Sequence, residues 1–205
     1  GVKLATDALA SKDHKITAVA AQVIEHYGSP KADGAKPALL DALKRADESD
    51  EPQIVWALVT LKEPSVMTKA MDLYRKGHLT KVQRLGGGNA FEAKRLAALT
   101  SLDEFAKLAG DDSESVRQLV ATVLSENAEP KWTPTLVKLV QDKSVEVARE
   151  AAVGLGKIGD ESARDPLLAQ LAKADNDSRA KFLDALRDGI GGEGGNGGDG
   201  ADGSN

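Results

Sequence analysis

Cysteine is absent from the 205 residues, which removes disulfides, thiolate nucleophiles and cysteine metal sites. Its absence leaves the compartment open, permitting an extracytoplasmic location without excluding the cytoplasm. Aromatic residues are scarce at 3%, so any core must be built from Ala, Val and Leu, which suit thin seams between helices. No stretch approaches the ~18 consecutive apolar residues of a membrane span. No alternating apolar–polar run is long enough for a convincing strand. A dominant charge sign is lacking too. The formal net charge is −5, and −3 of it comes from Glu193, Asp199 and Asp202 in the last fifteen residues. The nearly neutral remainder argues against a nucleic-acid footprint, which needs concentrated Lys and Arg.

What is present is a repeat. The phrases VRQLVATVLS from Val116, VAREAAVGLG from Val147 and SRAKFLDALR from Ser178 begin 31 residues apart. Their fifth, sixth, eighth and ninth positions are small or apolar: Val120, Ala121, Val123 and Leu124; Ala151, Ala152, Gly154 and Leu155; Phe182, Leu183, Ala185 and Leu186. Looser copies open near Ile16, Gln53 and Phe91, where Arg95 takes a normally small site. Each phrase predicts an amphipathic helix. A shorter helix precedes each one, marked by Leu4–Ala5–Ala8, Leu39–Leu40–Leu43, Val66–Met67–Ala70, Phe105–Ala106–Ala109, Leu136–Val137–Val140 and Leu167–Leu168–Leu171. Two residues before five of these pairs stands Pro37, Pro64, Asp103, Pro134 or Asp165, residues suited to a helix start. Gly, Asp, Asn and Pro separate the units. A fixed period in this range means stacked helix pairs, which mainly offer long surfaces to partners.

The phrases DDSESVRQLVATVLS and DKSVEVAREAAVGLGKIGD resemble HEAT repeats of the short kind first associated with phycobilin lyases. The resemblance is strong over residues 102–190 and moderate over 1–101. It implies a ladder between neighbouring repeats, with Arg117 and Arg179 at the arginine position and Asp111 and Asp142 at the aspartate position. Ala148 departs from the pattern, with Arg149 one place on, and so does Lys173.

The expected fold is therefore all-α: a right-handed α-solenoid of six HEAT-like pairs near residues 1–28, 36–62, 64–100, 102–126, 132–158 and 163–190. The Gly/Asp-rich run 191–205 reads as a flexible tail or linker, and the chain as part of a larger protein. One frame of the tail is similar to a calcium-binding nonapeptide, but a single copy followed only by Ala201 is not a site.

The spacing from apolar pair to second helix is 12, 14, 25, 11, 11 and 11 residues in chain order. The third value marks an insertion at 74–90, and insertions in repeats gather on one face. It carries Arg75, Lys76, Lys81 and Arg84, with no acid between Asp72 and Glu92. Four cations on an acidic chain could meet an acidic peptide, though solvated loop cations are the plainer reading.

Catalytic signals are thin. His14, His26 and His78 fall in different units without ligand spacing, and read as a helix start, a helix end and a loop. Gly86-Gly87-Gly88 lacks the preceding strand and the Lys-Ser/Thr of a phosphate loop. Trp56, inside IVWALV, and Trp132, before a helix start, read as core and staple residues. Neither a cofactor nor a metal is expected. The function expected is a non-catalytic scaffold binding a protein or peptide partner, possibly acidic, through Arg75, Lys76, Lys81, Arg84, Gln118, Arg149 and Lys181. Thr122, Val153 and Asp184 are further outward positions. The resemblance also leaves open an accessory lyase acting on a bound ligand, and the tail leaves open a structural spacer.

Overall fold

The structure, a computed structural model, describes residues 1–78 and 89–191, with side chains for 1–78 and 93–187. Lys81 and Arg84 lie outside the described residues, as does the tail from residue 192 onward. Among the described residues the chain is helical with no strand. In order come α1 (Val2–Ala8), α2 (His14–Tyr27), α3 (Lys36–Leu43), α4 (Glu51–Thr60), α5 (Met67–Arg75) and α6 (Asn89–Ala97). They are followed by α7 (Leu102–Ala106), α8 (Glu114–Asn127), α9 (Thr133–Val140), α10 (Val145–Ile158), α11 (Arg164–Lys173) and α12 (Asn176–Gly191). Short first helices alternate with longer second ones, except in the third pair, where both have nine residues. Every second helix begins two residues before the phrase that predicts it, at His14, Glu51, Asn89, Glu114, Val145 and Asn176.

The helix starts follow from local chemistry. Asp13 accepts from the Lys15 amide at 2.9 Å, Asp111 from the Ser113 amide at 2.9 Å, and Asp142 from the Ser144 amide at 2.9 Å. The last two are one repeat apart. Each carboxylate satisfies an amide that the following helix would otherwise leave without an acceptor. Pro37 and Pro134 sit at N1 or N2 of α3 and α9, where a missing N–H costs no bond. α10 stops at Gly159, whose φ of 66° is the left-handed geometry that a side chain disfavours.

The chain divides into two compact units, Gly1–Leu119 and Val120–Asn205. In the first, Leu9, Ile24, Leu39, Ile54, Leu58, Leu61, Leu96 and Phe105 form the buried core. α4 packs on α2, α3, α5 and α6, so every side chain from Ile54 to Val59 is buried. Each of the larger ones contributes roughly 1.5–3 kcal/mol relative to exposure. Trp56 belongs to this core, as its place in an apolar run predicts. The register of α1 differs by one residue from the expected Leu4–Ala5–Ala8. Ala5 and Leu9 are buried, the positions equivalent to Phe105 and Ala109, while Leu4 is 76% exposed. A helix seven residues long has too few apolar positions for its sequence alone to fix which stripe faces inward.

In the second unit α10 packs on α9 and α12, and Leu124, Trp132, Leu136 and Phe182 are buried beside it. Its inward stripe is built from small residues: Ala148, Ala151, Ala152 and Gly154. A Cβ at Gly154 would lie 2.5 Å from Ser125 Oγ and 2.9 Å from Ser125 Cα. The missing side chain lets α8 approach until Ser125 Oγ donates to the Glu150 carbonyl at 2.6 Å.

Candidate interaction surface

The first unit joins its second helices through charge as well as apolar packing. Arg95, the residue that breaks the small-residue rule, reaches from α6 across α4 to α2. Its Nη1 donates to Thr60 Oγ1 at 2.7 Å and to Glu25 Oε1 at 3.1 Å. Its guanidinium lies 5.6 Å from the Trp56 ring centroid, within range of a cation–π attraction. The guanidinium, largely buried against a flat ring, gains a carboxylate and a hydroxyl in place of water.

Arg75 closes α5 and, though exposed, is also paired within the chain. Its Nε and Nη2 donate to Asp111 at 3.2 and 2.7 Å, and its Nη1 to Asp72 at 2.7 Å. The hydrogen bond from Arg75 holds the Asp111 carboxyl below its ordinary range, against the opposing effect of burial. The bond to Asp111 likewise raises the guanidinium. Asp111 therefore caps the turn before α8 and receives an arginine from 36 residues earlier. The resemblance placed a ladder at this aspartate; the structure supplies Arg75 as a partner there. Arg117 Nη1 donates to the Asp111 and Asp112 carbonyls at 2.9 and 3.0 Å.

Of the four cations expected to form a patch, Arg75 is thus turned to an internal carboxylate, and Lys76 is exposed at the helix end. Lys81 and Arg84 fall on residues the structure does not describe. Gln118 is half-buried on α8, as are Thr122 on the same helix and Val153 on α10. Arg149 is half-buried on α10, pairing with Glu146 at 3.2 Å and with Glu150. Lys181, exposed on α12, pairs with Asp177 at 3.0 Å. That bond, and the field of Glu146 among others, raises the ammonium above its usual range. Glu146 therefore links the neighbourhoods of Arg149 and Lys181. Asp184 is exposed and pairs with Arg187 at 3.2 Å.

Two further groupings were invisible in linear order. His14 Nδ1 lies 3.0 Å from Asp50 Oδ2 and its Nε2 3.6 Å from Asp47 Oδ2. One ligand atom from each residue falls within 4.8 Å of the others. Both aspartates already have structural work: Asp50 accepts from the Asp47 amide at 2.9 Å, and Asp47 from the Ser49 amide at 2.8 Å. Their partners in space stand more than 30 residues away in sequence, so no motif betrays the cluster. The second grouping is apolar. Leu4, Ile16, Val19 and Val23 are exposed on α1 and α2 and line a shallow groove of ≈ 490 Å³, where Lys15 is the single charged side chain. Periodicity identifies such residues as inward-facing and cannot report that no helix covers them.

Among the described residues no helix is long and apolar enough to cross a membrane. No curated protein matches the chain. A solved engineered protein aligns with 93% of this chain and 97% of its own at 18% identity, with a TM-score of 0.48. Residues 94–187 match the family described as HEAT repeats. The match covers α7 to α11 with most of α12, where the phrase recurring every 31 residues is cleanest. Over that span the sequence is similar to HEAT repeats.

Proposed function

We propose that this protein is a non-catalytic scaffold or adaptor module whose second helices bind a protein or peptide partner. The reading includes a right-handed superhelical stacking of six pairs. The observation that carries it is the HEAT match, because stacked pairs leave an extended surface and repeat proteins use such surfaces for recognition. Gln118, Arg149 and Lys181 are the contact positions on the second helices, joined by Lys76, Lys81 and Arg84 at the insertion. Arg75 drops out of that set, since reversing its charge would set two carboxylates against each other at Asp111. The ion pairs of Arg149 and Lys181 lie at the surface, where such pairs contribute about 0.2–1 kcal/mol. An acidic partner can therefore displace them at little cost.

The test is affinity capture from native cell extract with the chain as bait, beside a Lys76→Glu/Arg149→Glu/Lys181→Glu variant. Specific capture lost in the variant, with unchanged far-UV circular dichroism, supports the assignment. Equal capture by both proteins removes these positions from it.

A further inference from the structure

The two terminal helix pairs expose large apolar side chains at positions that most interior copies bury or half-bury. The sixth position of the phrase is Ala21, Leu58, Leu96, Ala121 and Ala152 in the first five copies, all fully buried. In the last copy it is Leu183, which is 52% exposed. Leu168 on α11, also 51% exposed, occupies a place that is half-buried at Leu40, Met67, Ala106 and Val137. The first copy shows the reverse. Its position one is Ile16, exposed, where Val116 and Val147 are buried; its position eight is Val23, exposed like Ala98 in the third copy, where Val123 and Ala185 are buried. Position four behaves alike where it is apolar: Val19 is 58% exposed, Trp56 and Leu119 are buried.

The geometry of position eight shows which neighbour is missing. Gly154 holds that place in α10, and what it faces is Ser125 on α8, the second helix one repeat earlier. Ile16, Val19 and Val23 therefore present the side of α2 on which an earlier second helix would rest. Leu183 presents the side of α12 on which a later one would rest. One chain carries both halves of a seam of the kind by which α2 packs on α4 and α10 on α12.

We infer that the occupant of the α1–α2 groove is a second copy of this chain, with Leu168 and Leu183 of its α11–α12 pair seated against Leu4, Ile16, Val19 and Val23. The contact is head-to-tail, so it joins unlike surfaces and each bound copy leaves a free end. Its distance is that of neighbouring packed helices, roughly 8–10 Å between axes. It involves no other protein, and it stands or falls independently of the partner-binding surface proposed above.

Sedimentation equilibrium of the purified 21.5 kDa chain over a wide concentration range tests it. The mass average should climb past that of a dimer as concentration rises. Val19→Lys and Leu183→Lys should each hold the chain monomeric. An equimolar mixture of the two should form dimers and stop there, because one intact head meets one intact tail. Wild-type protein that stays monomeric overturns the inference. So does association lost in Val19→Lys but kept in Leu183→Lys, the signature of head-to-head pairing, and so does a mixture that stays monomeric. Ile16→Lys and Leu168→Lys replace either variant if circular dichroism shows lost helicity.

Discussion

The unit Gly1–Leu119 and the unit beginning at Val120 close their helix seams by different means. The first relies on bulk and on charges that reach far: Trp56 in the buried run Ile54–Val59, Arg95 bound to Glu25 and Thr60, Arg75 bound to Asp111. The second relies on smallness, with Ala148, Ala151, Ala152 and Gly154 letting backbones approach until a serine hydroxyl reaches a carbonyl on the next helix. The difference explains why the phrase is clean in one and blurred in the other. A seam of small residues admits few substitutes at each site. A seam of large and charged residues can exchange volume between neighbours, so its copies drift apart while the architecture persists.

Three measurements press on this contrast. Trp56→Ala removes the largest side chain of the α4 core and the face on which Arg95 rests, and should cost about 3–5 kcal/mol in denaturant unfolding. A loss below ~1 kcal/mol would mean that bulk is not what holds the first unit together. Gly154→Ala should cost about 1–3 kcal/mol, although alanine is intrinsically the better helix former by ~1 kcal/mol. The new methyl meets the backbone of Ser125, which cannot swing aside. A stabilised Gly154→Ala would show that the close approach in the second unit is not required.

The smallest effect concerns Asp111→Asn, which keeps the cap on Ser113 and removes the charge facing Arg75. At neutral pH it should cost about 1 kcal/mol or less, since the arginine is partly exposed. Because the folded carboxyl titrates below its ordinary value of 3.8, its stabilisation is complete above that value and fades as pH falls through the lowered one. The variant should therefore lose less stability than wild type between pH 5 and the acid limb. Parallel acid curves would show the pair contributes nothing.

Helix positions were legible because they depend on spacing within a dozen residues. Starters such as Pro37, Pro134 and Asp103 mark the first helices, and every second helix opens at a constant offset from its phrase. Side-chain partnerships were not legible. Asp111 could be placed in a ladder by resemblance, yet its bond to Arg75 depends on where α5 ends, 36 residues earlier. Arg95 stood out as an exception, but its meaning depends on Glu25, 70 residues distant. The α1 register slipped because Leu4 and Leu9 are equally greasy and only the three-dimensional neighbours choose between them.

Arg95 has a mechanical consequence. Repeat arrays ordinarily unzip link by link, since each member touches just the ones beside it. A guanidinium that spans α6, α4 and α2 couples next-nearest members as well. Peeling α2 away must release Glu25, which at the same moment strips a counter-charge from a helix two places along. The opening of this region should accordingly be abrupt, with α2, α4 and α6 exchanging their amide hydrogens as one block.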